Sequence, residues 1–377
     1  MRPFLSAIAA LQPLVEQRRA AIDSDRRLPT DLFHAAAECG LLRLWLPAAL
    51  GGPGLTALEF MEVVEAAAAL DGSLGWVIGN GAGMSRVGGY LPTDVSSKWF
   101  ADPLAFIVSS TAAVGSAKPV DGGYRITGRW PFGSGAHHAT LFMGLCAEPR
   151  GAAAEAQQPF FCYMPAASVT LHDTWFVSGL RGSGSCEFEV EDLFVPQAHV
   201  HAFQPRPTQP DTLYRIPQRS IFSWTVAVVP LGIAGAALRH AAAIAASKGR
   251  VGQSQLLRER EIVQSEVGMA QAQLRAARAF LVEAMDDLVA EIESGGDGLV
   301  EARAALRLAC SHAADAAVQI VDRLARMVGA VAILESLPVE RCVRDVHAAA
   351  KHIAMSPNNY VIAGRLALGL EPLNAQF

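Results

Sequence analysis

A chain of 377 residues that is 51% hydrophobic and 18% charged can bury a large core, which excludes a disordered protein and suggests about two or three structural regions. The formal net charge of −5 is mild and Lys and Arg are scattered, so no basic stripe forms and nucleic acid is not an expected partner. The cysteines (Cys39, Cys146, Cys162, Cys186, Cys310 and Cys342) are widely spaced without a Cys-X-X-Cys pair, which argues against a disulfide framework or zinc site and for a reducing, cytoplasmic setting.

Residues 1–105 carry Ala, Leu and Glu at helical spacing, broken at Leu28-Pro29-Thr30 and again between Pro47 and Gly54. The apolar stretch from Pro3 runs into Glu16, Arg18 and Arg19 in a helical pattern and lacks a signal-peptide layout. Residues 106–215 change to short runs of Val, Phe, Tyr and Thr separated by Gly, Asp and Pro, the composition of a small β domain. In Cys186-Glu187-Phe188-Glu189-Val190 the alternation buries Cys186, Phe188 and Val190 and leaves the glutamates in solvent. Asp121-Gly122-Gly123-Tyr124 is a hairpin turn.

Residues 216–377 return to the helical period. The uncharged stretch 220–238 is long enough to weigh as a membrane span, but Ser220, Ser223, Trp224, Thr225 and a central Pro230 predict a helix buried among helices, and no membrane association is expected. Val263, Val267, Ala270, Leu274, Ala277, Leu281 and Leu288 form one apolar stripe. Leu306, Cys310, Ala313, Ala317, Ile320, Leu324 and Met327 form another. Two long helices with such narrow seams suit a four-helix bundle, partly covered by other subunits.

Several phrases in this order resemble the acyl-CoA dehydrogenase superfamily along nearly the whole chain. They are Leu41 to Pro47 followed by Gly51-Gly52, Leu70 to Val77, Gly123 to Gly135 and Val190 to Pro196. The finer resemblance, carried by Asp173-Thr174-Trp175 leading to Gly179–Ser185 and by Arg344-Asp345-Val346-His347 running on to His352, is to the two-component, reduced-flavin monooxygenases similar to p-hydroxyphenylacetate and dibenzothiophene hydroxylases. The resemblance implies an α+β fold: an N-terminal helical domain, a central β-barrel-like domain and a C-terminal four-helix bundle. It also implies a homotetramer, with flavin between the β domain and the bundle and touched by a second subunit.

Fatty acyl-CoA dehydrogenation needs a carboxylate base, because hydride leaves the β-carbon only as the α-proton departs. By the resemblance, one usual position of that base is Ile353 and the other falls near Ser223 and Trp224, so neither holds an acid. A monooxygenase needs reduced flavin, O2, excluded water and a hydrogen-bond donor at the flavin or its oxygen adduct. The resemblance puts Ser134 in that donor's place, although a Ser between glycines is also ordinary turn chemistry. It puts His352 where the hydroxylases keep a histidine that serves as base toward a phenol or as a donor, and an ordinary imidazole titrating near about 6.5 serves either role at neutral pH. A helix-surface position beside Lys351 is the plain alternative for His352.

Trp130, Phe132, Gly133 and Ser134 are the expected cofactor-binding phrase, and Arg250 matches an Arg that approaches the flavin phosphates from a neighbouring subunit, with Val251-Gly252 replacing the usual Phe-Gly. A second histidine of the hydroxylases is replaced by Met84, which leaves open a substrate that needs no second base, such as an amine, a sulfide or an activated carbon. His137-His138 and His199-Val200-His201 lack a supporting third ligand and are expected to be exposed loop histidines, not a metal site. Gly182-Ser183-Gly184 lacks a following helix and is a tight turn beside flavin or substrate.

The expected reaction joins reduced FAD or FMN, with FAD favoured, O2 and a small organic substrate. The reduced flavin comes from a separate flavin reductase. The alternatives are an FAD-dependent acyl-CoA dehydrogenase-type enzyme and a helical scaffold or binding protein that has lost catalysis.

Overall fold

The computed structural model describes residues 1–149, 158–249 and 254–372. Helices α1 (Arg2–Ser24), α2 (Thr30–Glu38), α3 (Ala57–Leu70), α4 (Gly72–Met84) and α5 (Thr93–Phe100) come first. Strands β1 (Ile107–Val120), β2 (Gly123–Gly133), β3 (Leu141–Ala147), β4 (Phe160–Pro165), β5 (Thr170–His172), β6 (Cys186–Pro196) and β7 (Val200–Ala202) follow. Then come α6 (Thr212–Arg215), α7 (Gln218–Ala227), α8 (Val229–Ser247), α9 (Glu261–Ser294), α10 (Leu299–Val328), α11 (Pro338–Ala349) and α12 (Asn358–Ala367). The helical, β, helical order of an acyl-CoA dehydrogenase-like α+β fold is therefore present. Two compact units make up the chain: Met1–Phe60, Trp76–Val177 and Arg181–Gln218 in the first, and Met61–Gly75, Ser178–Leu180 and Arg219–Phe377 in the second.

In the first unit the strands form a seven-stranded sheet in the order β5-β6-β2-β1-β3-β4-β7. The β1–β3 pair is parallel and the others are antiparallel, so the sheet is mixed. The order begins at β5 and ends at β7. The expected hairpin joins β1 to β2 with Val120 opposite Gly123, and Gly122 supplies the left-handed position at φ 75°. Along β6, Cys186, Phe188 and Val190 are buried as the alternation requires, while Glu187 pairs with Arg129 and Glu189 with His172.

In the second unit α10 packs against α8, α9, α11 and α12. The α10 seam is buried from Leu306 to Leu324, and α9 buries Val263, Ala270, Ala277, Leu281 and Leu288 while Val267 and Leu274 are half-buried. Both long helices stop at glycines with positive φ, Gly295 at 66° and Gly329 at 76°, where other residues would meet steric strain. The uncharged stretch is two helices, not one: Pro230 sits in the first turn of α8, where its missing N–H is tolerated. Of the most apolar window in Gln218–Ser247, 83% is buried inside the protein.

Two sequence phrases lock this unit together. Asp71 caps α4, its Oδ1 accepting from Ser73 N and Leu74 N, while its Oδ2 accepts from Arg341 Nη1 at 2.7 Å. Asp345 Oδ1 accepts from Leu180 N at 2.7 Å. A Cβ on Gly179 would stand 2.0 Å from Arg344 O, so only glycine lets this loop close onto α11.

Candidate active site

The corner around Ser134 is built by a fault in the ladder. Between Trp130↔Phe188 and Gly133↔Cys186, β2 uses one residue more than β6, a β-bulge that re-aims the chain. The bulge holds Phe132 at φ 65°, a strained conformation for a bulky residue, and turns its ring outward to 61% exposure. Ser110 Oγ donates to Pro131 O at 2.6 Å and pins the bulge. Gly133 and Gly135 flank Ser134 because side chains have no room there: a Cβ on Gly133 would crowd Cys186 O and Phe188, and one on Gly135 would meet the Phe106 ring at 2.7 Å.

Ser134 is buried, and its hydroxyl is not spent on the local turn. Trp76 Nε1 donates to Ser134 Oγ at 3.0 Å, Ser134 Oγ and Ser185 Oγ lie 2.9 Å apart, and Ser185 Oγ and Ser183 Oγ lie 2.8 Å apart. Gly135 N donates to Ser183 O at 2.7 Å, lacing the two turns together. An indole can only donate, so Trp76 occupies a lone pair of Ser134 and directs the hydroxyl proton toward Ser185 or a ligand. The ordinary-turn reading of Ser134 and the tight-turn reading of Gly182-Ser183-Gly184 both meet this network.

A flavin ring system needs a flat apolar surface beside a hydrogen-bond donor. Phe132 and Trp175 meet edge to face at 6.4 Å, and the neighbouring Phe176 is 71% exposed under the guanidinium of Arg26 at 3.9 Å. Arg26 is itself fixed by a paired contact to Asp173 at 2.7 and 2.8 Å. An aromatic surface, glycine-flanked backbone and an oriented hydroxyl in one unit fit such a ring.

Trp130 does not belong to that surface. Its indole is fully buried, donates to Leu145 O at 3.0 Å and fills space left by Gly115, Gly128 and Gly144, where an added Cβ would strike it. The expectation that the Trp130 side chain binds cofactor is corrected: packing consumes it. Arg250, the other cofactor-binding expectation, lies outside the described residues.

His352 belongs to the second unit. It caps a short 3-10 turn, Nδ1 accepting from Ala354 N at 3.2 Å, so it is not a bare helix-surface histidine. Burial, and then the charge of Arg307, push its pKa down to about 4. The expectation of a group titrating in the neutral range is thereby corrected: the ring is neutral at neutral pH, and with Nδ1 accepting, its one proton sits on Nε2, which is left as a hydrogen-bond donor. Around it, Asn359 Nδ2 donates to Ala354 O at 2.9 Å and to Ser311 Oγ at 2.8 Å, and Arg307 Nε donates to Asn359 Oδ1 at 3.1 Å.

Of the histidines expected in exposed loops, His137 is exposed, whereas His138 and His201 are packed. His138 stacks on Phe33 at 4.1 Å with Nε2 against Leu28 O, and His201 Nε2 meets Tyr163 OH at 2.8 Å; burial pushes both down to about 4. Met84 is buried in the first unit's core. Sequence reasoning assigned no role to Trp76, Ser185 or Arg307; the first two stood inside phrases already quoted for the resemblance, whereas nothing local marked Arg307.

Residues 7–90 match the acyl-CoA dehydrogenase N-terminal domain and residues 224–357 the acyl-CoA dehydrogenase C-terminal domain. The chain is 29% identical to an indole-3-acetate monooxygenase from Pseudomonas putida over 94% of this chain and 91% of that protein. It is 30% identical to the oxygenase component of an FADH2-dependent resorcinol hydroxylase from Rhizobium sp. (strain MTP-10005), over 98% and 95%. The crystal structure of the HsaA monooxygenase from M. tuberculosis superposes with a TM-score of 0.89 at 26% identity, covering 100% of this chain and 99% of that one. The chain is a member of the acyl-CoA dehydrogenase superfamily, on its branch of flavin-dependent monooxygenase oxygenase components.

Proposed function

We propose that this enzyme oxygenates a small aromatic substrate, with Ser134 as the donor to the flavin and His352, through its Nε2–H, as a hydrogen-bond donor to the substrate. Bound reduced flavin supplies the electrons that activate O2; one oxygen atom enters the substrate and the other leaves as water. The carrying observation is the buried Trp76–Ser134–Ser185 chain, which orients one hydroxyl beside an exposed aromatic surface. Relatives that act on indole-3-acetate and resorcinol support an aromatic substrate.

FADH2 or FMNH2 from a separate reductase serves as co-substrate, and structures of similar fold hold FADH2 in one case and FMN in another. The cysteines Cys39, Cys146, Cys162, Cys186, Cys310 and Cys342 are free, which favours a reducing cytoplasm, and we take the working assembly to be a homotetramer. The test is anaerobic: load the protein with FADH2 or FMNH2, mix with oxygen and follow flavin reoxidation. Reoxidation slower than that of free flavin, and accelerated by Ser134→Ala, is the expected result. Reoxidation at the free-flavin rate overturns the proposal.

A further inference from the structure

His352 stands in a short connection of the second unit. After α11 ends at Ala349 the chain makes one 3-10 turn, Ile353–Met355, before α12 starts at Asn358. The turn's backbone closes with Met355 N donating to His352 O at 2.9 Å and Ser356 N to Ile353 O at 3.2 Å. Such bonds have poorer geometry than those of an α-helix, so a single 3-10 turn depends on what its neighbours supply. Here the support converges on one amide. Asn359, buried in the first turn of α12, donates from Nδ2 to Ala354 O at 2.9 Å and to Ser311 Oγ of α10 at 2.8 Å, while its Oδ1 accepts from Arg307 Nε at 3.1 Å. The two ends of this amide cannot be exchanged: a guanidinium only donates and a carbonyl only accepts, so Oδ1 faces Arg307 and Nδ2 faces Ala354. Ser311 Oγ donates in turn to Ser356 O at 2.9 Å, and Arg307 is tied to α7 by Nη1 donating to Ser223 Oγ at 2.9 Å.

Ala354 is therefore gripped at its carbonyl while its N–H donates back to His352 Nδ1 at 3.2 Å. A neutral imidazole that accepts at Nδ1 must carry its proton on Nε2, so the backbone of one residue selects the tautomer of another. We propose that Asn359 is the positioning residue of His352: by holding Ala354 it keeps the ring in the Nε2–H tautomer, the form that can donate to the substrate. The use of that donor rests on the monooxygenase reading; the hold of Asn359 on the ring does not. The assignment is specific to an amide. Aspartate has nearly the same shape and keeps an acceptor for Arg307, but when ionised it has no donor for Ala354 O or Ser311 Oγ and sets a negative oxygen against the carbonyl.

The test is nuclear magnetic resonance of the full-length protein carrying isotopically labelled histidine nitrogens, at neutral pH, with the His352 signals identified by their loss in His352→Gln. In the wild type the two ring nitrogens should resonate far apart, Nδ1 as a bare acceptor and Nε2 as a protonated nitrogen. In Asn359→Asp the Nδ1–H tautomer should gain about fivefold, the factor that one ordinary hydrogen bond contributes, and the two resonances should move toward each other. Asn359→Ala should do the same, and it replaces the aspartate variant if that protein lacks native circular dichroism. Ser311→Ala unties the turn at Ser356 but leaves the amide on Ala354, so it should keep the wild-type pattern. A proton on Nδ1 in the wild type, or unmoved resonances in the Asn359 variants, overturns the assignment. Equal movement in Ser311→Ala also overturns it, because general loosening of the turn would then set the ring. Flavin reoxidation by the wild-type protein separates the two levels: slow reoxidation with unmoved resonances sinks only this inference, and reoxidation at the free-flavin rate sinks the monooxygenase reading while the hold of Asn359 on His352 stands.

Discussion

A double-mutant cycle on Trp76 and Ser134 tests both the site's construction and its use. Ser134→Ala takes from the buried indole the acceptor it holds at 3.0 Å and from Ser185 a partner at 2.9 Å. A neutral hydrogen bond contributes about 1 kcal/mol net, and leaving a buried donor without its acceptor costs about 1–3 kcal/mol, so Ser134→Ala should destabilise by roughly 2 kcal/mol. Trp76→Phe removes the same bond from the other side, with some packing. Because the two changes share one bond, the double variant should be more stable than the sum predicts by about 1 kcal/mol. Urea unfolding monitored by far-UV circular dichroism measures all corners. Strict additivity would show that the indole does not hold the hydroxyl. Flavin reoxidation by the same proteins reads function: Ser134→Ala should speed it about tenfold or more, the factor that corresponds to 1.4 kcal/mol. Trp76→Phe should speed it less, because the hydroxyl remains but turns more freely. Equal rates in all four proteins would remove Ser134 from the flavin site while leaving the stability result intact.

Three further outcomes follow from strained and titrating groups. Phe132→Gly removes an exposed ring from a left-handed position, so relief of strain and loss of chain stiffness should nearly cancel, leaving stability within about 1 kcal/mol of wild type. Flavin affinity, read by fluorescence quenching, should fall about threefold to tenfold; unchanged affinity would show that the ring is not part of the cradle. Burial and the neighbouring Asp71 raise the pKa of Asp345 to about 7, so the folded state keeps a proton that the unfolded chain releases above its ordinary value of 3.8. This contribution is full below that value and is lost as pH rises toward about 7, so Asp345→Asn should gain on wild type across that window; parallel urea midpoints would contradict it. His352 has the opposite sign, since the unfolded chain takes up a proton below 6.5 that the folded ring accepts only near about 4. Its contribution is lost as pH falls through that interval, and His352→Gln should flatten the acid limb of the stability curve; an unchanged limb would show that His352 is not held neutral.

The architecture was legible because its signals are periodic or local. Seams such as Leu306 to Leu324 need only the helical repeat, and Asp121-Gly122 needs only turn chemistry. The family phrases were legible as words before their physics was known. Leu70-Asp71-Gly72 and Arg344-Asp345 prove to be the cap, the buried ion pair with Arg341, and the acceptor for the Leu180 loop. A recurrent phrase can therefore mark a lock in the fold as readily as a group in the chemistry, and Trp130 is the case in point.

What the sequence did not disclose depends on contacts far apart in the chain. Ser134 is separated from Trp76 by 58 positions and Arg307 from Ser223 by 84, so no window contains either pair. The same separation misleads about charge: beside Lys351, His352 reads as an ordinary imidazole, whereas its protonation is decided by burial and by Arg307 on another helix.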